Sequence, residues 1–227
     1  MSVLVFDLDD TLYDESSYVR SGFQAVGNWL HQEYGIDPEQ SLVYMMQVLS
    51  EKGRGQVFDN VLRQIGHYSK KNVQQCLSVY RGHKPNLTLH EDAVRCLEAF
   101  KEYPMYIVTD GNKLVQQRKL ESLGLMSHPA IKKCFISRRF GLHNEKPSPY
   151  CFHQISRLEG IGPSDIAYVG DNPNKDFVGI KPLGFHTVRI RRGPFAICRS
   201  RRNTKRNVSS IVWMSCGSYV IRFLHKE

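Results

Sequence analysis

The chain has 227 residues, 41% of them hydrophobic and 23% charged. That length and balance suit one sizeable globular domain or two small ones, and they exclude a long disordered chain or a disulfide-stapled miniprotein. The net charge is +9, but from Pro194 onward seven basic residues face one acid, Glu227, so the tail holds +6 and the body before it only +3.

The first element in chain order is a short apolar run over residues 3–6, a β-type stretch that ends on Asp7. Similar runs recur at 105–108, 166–169 and 186–190, with a weaker one at 134–137. Between the first two runs, residues 14–87 read as four helices. Their apolar faces are Val19, Phe23, Val26 and Leu30; Leu42, Met46 and Leu49; Phe58, Leu62 and Ile65; and Val73, Leu77 and Tyr80. Asp37-Pro38-Glu39-Gln40 predicts the start of the second helix, with an N-cap, a first-turn proline and a capping-box glutamine. Thr88-Leu89-His90-Glu91 predicts another capping box, opening a helix through Val94, Leu97 and Phe100. Ser148 with Pro149, and Asn172 with Pro173, predict two more helix starts.

Apolar strands separated by helices argue for a parallel sheet covered on both faces. Ligands of such sheets bind beyond the carboxyl ends of the strands, and polar clusters follow three of the runs directly. Asp7 and Asp9 flank Leu8 after the first run, so a bend there can aim both carboxylates into one site. Two neighbouring anions need a cation, or one must hold a proton, and either condition suits a nucleophile beside a general acid or base. Thr109, Asp110 and Gly111 follow the second run, where a hydroxyl beside the N–H groups of a helix start favours an anion. Asp171 follows a later run and Asp176 lies five residues on, adding oxygen ligands of the kind Mg²⁺ prefers.

Taken together, Asp7-Leu8-Asp9-Asp10-Thr11, then Thr109, then Lys146-Pro147, then Gly170-Asp171 with Asp176, resemble the four signature motifs of the haloacid dehalogenase superfamily, in its phosphatase branch. The resemblance spans residues 1 to about 192. It implies an α/β fold, with a Rossmann-like parallel sheet core, helices on both faces and an inserted α-helical cap subdomain. The core would be 1–13 and 88–193, the cap 14–87, and 194–227 a basic tail whose fold the sequence does not reveal. By position, the resemblance makes Asp7 the nucleophile that forms an aspartyl-phosphate and Asp9 the acid that protonates the leaving group and then activates water. Thr11, Thr109, Lys146 and the backbone of Asp110 and Gly111 would hold phosphoryl oxygens. Mg²⁺ would be bound by Asp7, the Asp9 backbone carbonyl and Asp171, with Asp176 close by or acting through water. Dehalogenases of the superfamily lack an acid at the position of Asp9, because a halide leaving group needs no proton.

The expected activity is therefore Mg²⁺-dependent hydrolysis of a small phosphorylated metabolite. A sugar-phosphate mutase, or a non-catalytic binding protein that keeps the fold, is the alternative. Tyr13 and Arg54 are the candidate specificity residues. The six cysteines lie far apart with no CxxC pair or zinc spacing, and no apolar run reaches the ~20 residues of a membrane span, so a cytoplasmic protein is expected. The basic run at 199–206 is read as a solvated terminus rather than a nucleic-acid arm. Oligomeric state cannot be read from the sequence.

Overall fold

The computed structural model describes residues 2–196. The expected basic run at 199–206 lies outside them. Five parallel strands, β1 (Val3–Phe6), β2 (Met105–Thr109), β3 (Ile131–Ile136), β4 (Ile166–Gly170) and β5 (His186–Arg189), form one sheet in the order β3-β2-β1-β4-β5. β1 is central, paired through Leu4 to Met105 on one side and through Val3 to Ile166 on the other. All residues of β1, β2 and β4 are buried, which is why these strands read as continuous apolar runs rather than alternating ones. Val3, Val5, Tyr106, Val108, Ile166 and Tyr168 share one face, packed with Phe152 and Ile155 of α7 (Tyr150–Glu159).

β3 begins three residues earlier than its apolar signal, because Lys132 and Lys133 lie exposed on an edge strand. Charged side chains there protect an open edge from pairing with other chains. α5 (Glu91–Ala99) begins at His90 without a side-chain cap, so the predicted Thr88 box does not form. The His90 backbone N–H is instead committed to the Leu12 carbonyl at 2.9 Å. The helix expected after Asn172 is also absent: residues 173–180 form successive turns, and at their start Asn172 Oδ1 accepts from Asn174 N while the Asp176 carboxylate folds back onto Asn172 N at 2.8 Å. α7 starts at Tyr150, one residue later than Ser148 and Pro149 predict.

The described residues divide into two compact units, one formed by the chain up to Glu15 and from Thr88 onward, the other by Ser16–Leu87. The second is helical: α1 (Glu15–Tyr34, whose first residue belongs to the other unit), α2 (Pro38–Lys52), α3 (Val57–Gln64) and α4 (Lys70–Gly82). α2 starts as its sequence predicts, with the Asp37 carboxylate accepting from Gln40 N at 2.8 Å. Val19, Phe23, Val26, Leu30, Leu42, Met45, Phe58 and Leu62 make this unit's own core.

Candidate active site

The site is built at the carboxyl ends of β1, β2 and β4, where the sheet reverses its winding and the connecting loops diverge. Asp7, Thr109 and Asp171 stand at those ends, all buried. Asp7 is fixed through its own backbone, whose N–H continues the ladder to Val169 O at 2.8 Å.

Lys146 ties the acidic groups together. Its ammonium donates to Asp7 Oδ1 at 2.7 Å and to the Tyr168 hydroxyl at 2.8 Å, and lies 2.9 Å from Asp176 Oδ1. Tyr168 in turn donates to Asp176 at 3.1 Å. Burial works to lower the affinity of Lys146 for its proton, but the charges of Asp176 and Asp7 outweigh it and hold the lysine charged. On the carboxylate side burial wins: Asp7 is raised well above the usual carboxylate range despite Lys146, and Asp176 adds to the rise. Asp171 is pushed up to about 8 by burial first and then by the charges of Asp7 and Asp176.

One carboxylate oxygen from each of Asp7, Asp171 and Asp176 falls within a cluster no wider than 4.8 Å. Three crowded acids against the single buried ammonium of Lys146 leave negative charge uncompensated, and the donors are all hard oxygens. That set fits a divalent cation such as Mg²⁺, and the raised acids are those a cation would return to their ionised form.

Asp9 lies in a different set of contacts. Its Oδ1 accepts from Lys119 Nζ at 2.7 Å and from the Tyr13 hydroxyl at 2.6 Å, and its Oδ2 accepts from Gln116 Nε2 at 2.9 Å. Burial would raise Asp9, but Lys119, Tyr13 and Gln116 together hold it below the usual carboxylate range. Gln116 Nε2 also donates to Thr109 Oγ1 at 2.5 Å. Thr11 Oγ1 is buried and has no hydrogen-bond partner among the described residues.

The N–H of Gly111, expected to be open to an anion, donates to Glu145 Oε1 at 3.0 Å, and Glu145 is itself held by Arg138. The carboxylate of Asp110 accepts from Ser137 Oγ at 2.6 Å and from the backbone N–H of Lys146 at 3.1 Å, which joins the loop after β2 to the lysine's loop. Lys175 lies 3.4 Å from Asp110 Oδ2. Tyr13 is fully buried against Asp9. Arg54 belongs to the helical unit, where it lines a cavity of about 200 Å³ together with Phe23, Phe58, Leu77 and Tyr80.

Gln116, Lys119, Tyr168 and Lys175 were not among the expected site residues. Gln116 and Lys119 left no clear sequence signal, since α6 (Lys113–Ser122) is polar along its length; the buried stripe they share with Val115 and Leu120 shows only in the structure, where a buried polar group needs a partner. A tyrosine inside a buried strand likewise needs somewhere for its hydroxyl.

A hydrolase family, the haloacid dehalogenase-like hydrolases, matches residues 1–184 of this chain. Glyceraldehyde 3-phosphate phosphatase of Methanocaldococcus jannaschii is 30% identical over 199 residues, covering 85% of this chain and 86% of the relative. Human N-acylneuraminate-9-phosphatase is 25% identical, covering 77% and 75%. Among solved structures, the HAD-hydrolase YfnB of Bacillus subtilis, determined bound to magnesium, superposes with a TM-score of 0.58 at 19% identity, over 92% of this chain and 90% of that one. The chain belongs to the haloacid dehalogenase-like hydrolases. Within that family it is a hydrolase of phosphoric monoesters, acting on a small phosphorylated metabolite.

Proposed function

We propose that the chain hydrolyses its small phosphorylated metabolite through an aspartyl-phosphate on Asp7. The observation that carries this reading is the buried Asp7 at the end of β1, with its carboxylate on Lys146 and beside Asp171 and Asp176. Glyceraldehyde 3-phosphate is the first substrate to test, since the relative at 30% identity is named for it. The helical unit Ser16–Leu87 is the cap that would recognise the leaving group, with Arg54 a candidate contact.

Asp7 attacks phosphorus while Asp9 gives its proton to the departing alkoxide. Asp9 then takes a proton from water, the water oxygen attacks the acyl phosphate, and inorganic phosphate leaves with Asp7 restored. Lys119 favours ionised Asp9, the form that the second step uses. A bound phosphate dianion raises the affinity of Asp9 for a proton, which suits the first. Thr11, Thr109 and Lys146 would hold the phosphoryl oxygens, where negative charge spreads in the transition state. Asp7, Asp171 and the Asp9 carbonyl would hold Mg²⁺, with Asp176 adjacent; when bound, the ion supplies positive charge against the phosphoryl oxygens.

The test is a panel of triose, sugar, nucleotide and acid phosphates plus p-nitrophenyl phosphate, assayed with and without Mg²⁺ and repeated with Asp7→Asn. Phosphate release that requires Mg²⁺ and is abolished by Asp7→Asn supports the reading. A protein inert across the panel, or an Asp7→Asn variant as active as the parent, overturns it.

A further inference from the structure

Asp9 is enclosed more tightly than a free acid/base would be. Three donors from two elements converge on its carboxylate: Tyr13 from the loop that follows β1, and Gln116 and Lys119 from α6. Both α6 side chains are buried, Gln116 at 2% and Lys119 at 2% exposure, and Tyr13 at 0%. Neither α6 residue touches Asp7, Asp171 or Asp176 in any hydrogen bond that defines the acidic cluster. Gln116 makes a second bond, to Thr109 Oγ1. Because the amide nitrogen can only donate, it occupies a lone pair of the threonine hydroxyl, and the hydroxyl proton must point to some other acceptor.

We propose that Gln116, Lys119 and Tyr13 are positioning residues that set the Asp9 carboxylate at a fixed place relative to the phosphoryl pocket. Gln116 is the link: one amide group registers the acid/base against the Thr109 hydroxyl and aims that hydroxyl's proton away from α6. Lys119 fixes the same carboxylate oxygen as Tyr13 and is itself anchored 3.4 Å from Glu15 at the start of α1. The inference rests on the reading of Asp9 as the proton donor to the leaving group. Proton transfer needs heavy atoms within about 2.6–3.2 Å, so a carboxylate free to rotate would lose most of its catalytic contribution. The demand for that proton depends on the substrate: an alkoxide needs it, whereas p-nitrophenolate leaves readily without one.

The experiment compares kcat/KM for the alkyl phosphate that the panel turns over fastest with kcat/KM for p-nitrophenyl phosphate. This parameter runs through departure of the leaving group and is blind to the later hydrolysis of the phosphoenzyme. Gln116→Met and Tyr13→Phe remove donors while keeping bulk, and Lys119→Met removes the charge; thermal melts report whether each variant is folded. Each folded variant is expected to lose on the order of tenfold or more with the alkyl ester and several-fold less with p-nitrophenyl phosphate. Equal losses on both substrates, or no loss in Gln116→Met and Tyr13→Phe, would overturn the proposal, because a purely structural role lowers both alike. Asp9→Asn is the control that separates the two levels. If it shows the selective loss of alkyl ester turnover and the three variants do not, the positioning inference falls alone. If Asp9→Asn lacks that selectivity, the acid assignment falls and takes the inference with it.

Discussion

Gly179 lies so close to the carbonyl of Pro147 that a Cβ at position 179 would overlap its oxygen. The contact joins the turn carrying Asp176 to the loop carrying Lys146, the two sources of the buried ion pair. Only a residue without a side chain permits it. Gly179→Ala should therefore push these segments apart, destabilising the protein by about 1–3 kcal/mol, as overpacking generally does. Turnover should fall further than stability suggests, by on the order of tenfold or more, since small misplacements of a charged group at a reacting centre are amplified in rate. Thermal melts and kcat measured on the same preparation check this. Unchanged kcat in a destabilised variant would show that Lys146 keeps its place without the contact.

A second expectation concerns Lys146 itself. It is the only ammonium among the described residues within hydrogen-bond distance of Asp7 or Asp176, and removing one member of a buried ion pair typically costs about 3–5 kcal/mol. Lys146→Met should melt far below the parent without divalent ions and recover part of the difference when Mg²⁺ is added, because the ion can neutralise some of the same charge. Lys146→Arg should not restore activity: the guanidinium is larger and planar, and the pocket presents Asp7, Asp176 and Tyr168 around a point charge. Melts with and without Mg²⁺, alongside phosphate release, check both statements.

The site residues differ in how far the sequence reveals them. Asp7, Thr109 and Asp171 are legible because each ends or directly follows an apolar run that forms a strand, so local pattern and position in the sheet coincide, whereas Lys146 reads as surface charge on its own and is singled out only by the resemblance to the family's motifs. Gln116 and Lys119 could not be placed that way: α6 is short and polar overall, and what decides their direction is a partner more than 100 residues away, Asp9. Asn172-Pro173 is a good helix start in isolation, yet residues 173–180 form turns. There the long-range approach of Gly179 to Pro147 and the bond from Asn172 N to Asp176 override local propensity. The partner of the Gly111 N–H is equally illegible in local sequence, since its acceptor, Glu145, lies 34 residues downstream.

The acidic cluster also fixes how stability depends on pH. In the metal-free protein Asp171 is raised to about 8 and Asp7 is raised as well, both from an ordinary value of 3.8. Below about pH 4 these acids are protonated in folded and unfolded chains alike and contribute nothing. Between there and about pH 8 the folded chain holds protons that the unfolded chain has released, so stability declines as pH rises. A divalent cation binds the ionised form, so the gain in melting temperature from Mg²⁺ should be small at pH 5 and large at pH 8. Asp171→Asn should flatten the metal-free slope and shrink the Mg²⁺ gain at pH 8. Melting curves across pH 5–8, with Mg²⁺ or with chelator, check this; a Mg²⁺ gain independent of pH would contradict it.

Thr11 offers a test in which stability and activity move in opposite directions. Its Oγ1 is buried with no partner among the described residues, and a hydroxyl removed from water without a hydrogen bond is destabilising by about 1–3 kcal/mol. Valine has the same shape without the hydroxyl. In the absence of phosphate, Thr11→Val should melt at the same temperature as the parent or higher. If the hydroxyl donates to a phosphoryl oxygen in the transition state, the same variant should lose about 10²-fold in kcat/KM, the scale seen for removal of one such donor. Inorganic phosphate separates the contributions further: it should stabilise the parent more than Thr11→Val, since a ligand stabilises only in proportion to its affinity for the folded state. A variant that melts lower and keeps its activity would assign Thr11 to the support of the loop rather than to the phosphate.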